Sequence, residues 1–248
     1  MNLLDHWLLF VLVVLLPLEG RAEMGALRAA ARGGDRGARL RTLVGTVVVQ
    51  WALVLLLLAS WATAGRPLAG LGLIVPGGRK AICGLAGIGA TAWLVWLQYH
   101  GVSRLAPERR ARLRERSGDS ILLLPFTGAE RIAFAATACT AGICEELLCR
   151  GFVFWYLGHW MNPWVTLFVA SVPFGVVHIY QGRAGAIRTG MVALVLGFFY
   201  LLTGSLLWPM LMHASIDLGG GLLGRFLAAP IEVAGAADGG RGLPQPQG

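Results

Sequence analysis

Lysine is almost missing from this chain: Lys80 stands alone against twenty arginines. Charged residues of all kinds make up only 14% of the 248 positions, while 56% are hydrophobic. So little charge among long apolar runs excludes a disordered chain and an ordinary soluble domain. Cysteine is also sparse. Cys83, Cys139, Cys144 and Cys149 all fall inside apolar segments without paired spacing, so neither a disulfide framework nor a zinc cluster is indicated, and they read as small apolar fillers. HExxH, internal repeats and a phosphate-cradling glycine loop in helical context are absent. The formal charge of +8 does not point to nucleic acid, because the arginines stand in short blocks beside apolar spans, where membrane topology expects them.

What is present is a series of segments long enough to cross a bilayer, each needing about 20 mainly apolar residues. Seven spans are expected, near 3–18, 43–64, 81–100, 121–158 as one long or broken element, 163–180, 186–203 and 206–228. The fold class is therefore all-α, a polytopic transmembrane helical bundle of about seven spans. The run from Trp7 to Leu18 follows Asp5 and His6 rather than a basic stretch, which argues for a retained first span over a cleaved signal peptide. Arginines crowd the segments after the first span (Arg21 to Arg41) and after the third (Arg104 to Arg116), which assigns those loops to the cytoplasm and gives an N-out, C-in orientation. Pro107 to Arg116 reads as either a short interfacial helix or a solvated linker, with the linker preferred. Composition rich in arginine, alanine and glycine suggests a GC-rich bacterial source, hence the inner membrane. The chain divides into 1–119, N-terminal spans and loops, 120–228, a helical core, and 229–248, a tail too poor in apolar residues to order itself.

The stretch CEELLCRG at 144–151 breaks this apolar pattern. A charged side chain near the bilayer centre costs roughly 2.5 to 3.5 kcal/mol on insertion scales, so such residues face a cavity, a partner or a function. Glu146 and Arg150 are four apart on one helical face and can pair, whereas Glu145 lies about 100° away and is free to face a cavity. His178 and His213 sit deep in later apolar runs, and Asp217 follows His213 at helical spacing. A glutamate, two imidazoles and an aspartate from three spans make a kit for activating water if the bundle folds them around one wet pocket. The bland reading is a buried ion pair that fixes helix packing and hydrogen-bonded packing histidines. His6, His100 and His159 lie at span ends and are set aside; Glu130 and Arg131 mark the start of the helix that carries the glutamates.

These residues resemble the CPBP family of intramembrane proteases, which takes in type II CAAX prenyl endopeptidases, Abi-like bacteriocin-processing relatives and myxosortase-type sorting enzymes. Three of its motifs occur in order: EExxxR as Glu145, Glu146 and Arg150, FxxxH as Phe174 and His178, and HxxxN/D as His213 and Asp217. The resemblance covers about residues 120–220. It implies a membrane-embedded pocket in which Glu145 and His178 activate water against a peptide bond, with His213 and Asp217 supporting the water or the oxyanion and Glu146, Arg150 and Phe174 supporting the site. Asp217 departs from the asparagine of many relatives. An ionised aspartate cannot donate to an oxyanion, so it either carries a proton or orients His213. The resemblance leaves two chemistries, a glutamate-type site without cofactor, which is favoured, and a zinc ion held by Glu145, His178 and His213.

The expected partners are a peptide or protein substrate with a C-terminal, membrane-proximal segment, and membrane lipid. Since bacteria seldom prenylate proteins, sorting or peptide processing ranks above CAAX removal. Two other classes compete. A non-enzymatic scaffold or immunity protein would keep the pocket without activity. A proton-coupled transporter would use the same buried carboxylates and histidines, although no inverted repeat supports it. One difficulty attaches to the topology: His178 falls near the inner end of the fifth span and His213 near the outer end of the seventh, yet a shared site needs one depth.

Overall fold

A computed structural model describes residues 1–228, and the expected disordered tail at 229–248 lies outside the described residues. Every described element is helical. In chain order they are α1 (Leu3–Arg32), α2 (Ala38–Thr63), α3 (Gly78–Ser103), α4 (Pro107–Ser117), α5 (Gly128–Leu157), α6 (Pro163–Val177), α7 (Gly182–Thr203), α8 (Leu207–Leu222) and the short α9 (Gly224–Leu227). Leu16 and Phe154 continue their helices through π-helical turns, at Val11–Leu15 in α1 and Leu147–Val153 in α5.

Five stretches are long and apolar enough to cross a membrane: α1, α2, α3, α5 and the 41-residue run Pro163–Thr203. That last run is two arms. After Val177 the chain makes a 3₁₀ turn, His178–Gln181, and Gly182 reverses it at φ +82°. The arms then pack so closely that a Cβ on Gly175 would lie 2.8 Å from the carbonyl oxygen of Ala186. With α8, whose 16 residues reach about 24 Å, seven apolar arms form the expected polytopic all-α bundle. This is an integral membrane protein. Large apolar side chains such as Val48, Leu55, Leu94, Phe168 and Val172 point outward, as a lipid-facing surface requires.

Two boundaries differ from the sequence reading. The fourth apolar element starts at Gly128 rather than 121, because Thr127 and Glu130 form a capping box and residues 118–123 are a 3₁₀ segment. Residues 107–117 are a helix rather than a linker: Pro107 begins it, and Arg110 and Arg114 fasten it to the carbonyls of Ser103, Leu227 and Ala228.

Several charged side chains pair across the bundle. Asp5 and Arg66 pair at 2.7 Å at one end, and Arg39 and Glu130 at 3.0 Å towards the other. Arg28 pairs with Asp119 at that second end. Helix α2 runs alongside α5 through Arg39–Glu130, through the Thr137 hydroxyl on the Leu43 carbonyl (3.1 Å) and through the Trp51 indole on Thr140 (3.2 Å). Helix α8 crosses the other side of α5, where a Cβ on Gly142 would stand 2.8 Å from Met210 O and Ala214 N. Thus α5 is the axis against which α2 and α8 are registered, and it carries both central glutamates.

Candidate functional site

Glu145 and Glu146 are neighbours in sequence but not in environment. Glu146 is fully buried, with Arg150 Nη1 at 2.9 Å from its Oε1. The same oxygen accepts from His213 Nδ1 at 2.8 Å. A carboxylate only accepts, so Nδ1 of His213 carries hydrogen and Nε2 is turned to the other side of the ring. Arg150 also donates Nη2–H to the Ala193 carbonyl at 3.1 Å, and its guanidinium lies 4.4 Å from the Phe174 ring centre. The EExxxR segment thus locks α5 to α6, α7 and α8 at one level. It does so at the π turn that begins directly after Glu146, and such turns are frequent at functional sites.

Glu145 faces a different space. Its Oε1 accepts from Gln50 Nε2 of α2 at 2.8 Å, while its Oε2 is buried without a hydrogen-bond partner among the described residues. His213 Nε2 stands 3.9 Å from Glu145 Oε2 and 3.6 Å from Asp217 Oδ2, too long for hydrogen bonds and close enough for electrostatic contact. Glu145 and His178 line one cavity of about 390 Å³ between α1, α2, α5 and α6. Its other walls are mostly apolar, Leu12, Leu16, Leu53, Leu148 and Val169 among them, with Glu19, Glu23 and Thr46 adding polar points.

His178 Nδ1 lies 2.8 Å from the Phe174 carbonyl oxygen. A carbonyl can only accept, so Nδ1 is the protonated nitrogen and the neutral ring keeps its lone pair on Nε2. The FxxxH spacing therefore fixes a tautomer as well as a position. The Phe174 ring neighbours both histidines, 5.0 Å from that of His178 and 6.1 Å from that of His213. The difficulty of depth disappears because α6 ends after 15 residues, about 22 Å. His178 sits in a turn packed beneath residues 118–123 instead of at the end of a full span. His213, only seven residues into α8, comes to the level of Glu146.

The zinc arrangement is not assembled: among the described residues no three His, Cys, Asp or Glu side chains converge as metal ligands. His213 Nδ1 is held by Glu146, which turns Nε2 towards Glu145 and Asp217. Of the residues set aside, His6 bonds Tyr156, while His100 and His159 each contact the backbone carbonyl four residues before them. Glu130 is held by Arg39 and by the backbone amides of Phe126 and Thr127, a helix-capping role, and Arg131 is exposed.

Residues 127–219 match the family model described as type II CAAX prenyl endopeptidase Rce1-like. Over that stretch, less than half of the chain, the protein is similar to the Rce1-like family. The comparisons with curated proteins and with solved structures gave no match. The Rce1-like segment takes in α5 to most of α8 and all seven motif residues. The matched family is described as one of endopeptidases, enzymes that act on peptide or protein substrates. Gln50, which reaches Glu145, lies outside the matched segment and was missed by sequence reasoning; its signal was a lone amide within the apolar run VGTVVVQWALVL.

Proposed function

We propose that the protein is an intramembrane endopeptidase that cleaves a C-terminal or membrane-proximal segment of its substrate, with water activated by Glu145 and His178. The observation that carries this reading is that Glu145, whose Oε2 is buried without a hydrogen-bond partner among the described residues, lines one mostly apolar cavity together with His178. Glu146 is neutralised by Arg150 and spent on holding His213, which leaves Glu145 for chemistry. Water between Glu145 and His178 gives a proton to the Glu145 carboxylate and attacks the peptide carbonyl, forming the C–O bond of a tetrahedral adduct. The proton then passes from Glu145 to the departing amine as the C–N bond breaks. His213 Nε2 lies near Glu145 Oε2, and in its doubly protonated form the ring donates Nε2–H to the oxyanion, with Glu146 holding Nδ1 and the nearby Asp217 carboxylate balancing the charge.

The apolar cavity walls suit an aliphatic flank of the cleaved segment. Sorting or processing of membrane-anchored tails by a bacterial inner-membrane enzyme, with the arginine-rich end in the cytoplasm, fits the composition. CAAX-type processing of a lipidated terminus is the second reading, favoured by the description of the matched family. The test is cleavage of tail peptides, with and without a prenyl group, by purified enzyme in detergent. Glu145→Gln and His178→Ala should abolish cleavage while the melting temperature holds. A folded Glu145→Gln enzyme that cleaves at the wild-type rate removes the proposal, and selective cleavage of prenylated peptides decides for the second reading.

A further inference from the structure

The two central carboxylates receive different partners. Glu146 is given a guanidinium by Arg150, whereas Glu145 is given a neutral amide by Gln50. A cation at position 50 would pair with Glu145 and take away its basicity; an acid there would repel it. An amide orients the carboxylate and leaves its charge in place. The contact is supported along its helix, since Leu43 and Trp51 of α2 are both hydrogen-bonded to α5. Two acceptor oxygens at this contact, Gln50 Oε1 and Glu145 Oε2, are buried without hydrogen-bond partners among the described residues. Buried polar atoms beside a cavity are where ordered water is held.

We infer that Gln50 is a positioning residue of the peptidase site, pinning Glu145 Oε1 so that Oε2 meets the reacting water, and helping to hold that water through its own Oε1. This rests on Glu145 as the base. It also assigns the site a component from α2, outside the Rce1-like segment 127–219. The N-terminal spans then complete the active site as well as anchoring it.

The experiment uses the full chain in detergent and a fluorogenic tail peptide that wild type cleaves. Gln50→Met keeps the length and removes the donor; kcat should fall about tenfold to a hundredfold, in the range seen when a residue orienting a reactive group is lost, with KM unchanged. Gln50→Asn, one methylene short, should also lower kcat, and it serves if the methionine variant melts early. Wild-type kcat in the Gln50 variants beside an inactive Glu145→Gln overturns this inference and leaves the endopeptidase reading standing. A change in KM alone overturns it in favour of a substrate contact. Full activity of Glu145→Gln overturns both.

Discussion

Arg150→Met is the sharpest test of how the site is held together. Arg150 and Glu146 are 2% and 0% exposed and 2.9 Å apart. At that separation two unit charges attract by about 6 kcal/mol at an effective dielectric near 20. Methionine keeps much of the arginine stem but strands the Glu146 carboxylate with His213 as its remaining partner. It also removes the contacts to Ala193 O and the Phe174 ring. Truncating one side of a buried pair typically costs about 3–5 kcal/mol, and this variant should fall in that range. The sign of the double variant is more telling. Glu146→Gln keeps an oxygen for His213 Nδ1 and needs no counter-ion, so Glu146→Gln with Arg150→Met should recover about 2 kcal/mol of the single loss. Reversible unfolding in mixed micelles, followed by tryptophan fluorescence, measures both. A loss under about 1 kcal/mol for Arg150→Met, or a double variant as unstable as the sum of the singles, would refute the claim that a buried charge pair fixes α5 against α6, α7 and α8.

Two further outcomes follow from the geometry. Gly142→Ala would place a Cβ 2.8 Å from Met210 O and Ala214 N, on either side of His213; it should separate α5 from α8 and cut cleavage by about a hundredfold, since a misplacement near 1 Å has that effect. Gly190→Ala, whose Cβ would find only ordinary contacts at 3.8 Å, should cleave like wild type, and activity assays on the two variants check the contrast. Treatment with a zinc chelator should leave the wild-type rate unchanged, because no three ligand side chains converge among the described residues; loss of activity restored by added zinc would contradict this.

Much of this protein was legible in one dimension. Hydropathy alone gives the seven apolar arms, since only a helix satisfies its own backbone in lipid. Four-residue spacing pairs Glu146 with Arg150, because helical neighbours share a face whatever surrounds them. The start of α5 was misplaced because apolar content continues through residues 121–124, and only the capping box at Thr127 marks where the helix begins. Helix α4 was underrated because its charges hide the backbone anchors that Arg110 and Arg114 find in tertiary neighbours.

Depth and convergence belonged to the folded chain. The sequence places His178 at a span end and His213 in another span; it is the early stop of α6 and the close crossing at Gly142 that bring both rings near Phe174. Gln50 shows the same division. A lone amide in an apolar run is visible to any reader, but which of its neighbours it serves depends on the register of α2 against α5. That register is set by contacts about ninety residues apart in sequence. Local chemistry is written in spacing along one helix, whereas the partner of a side chain on another helix is decided only when the two surfaces pack.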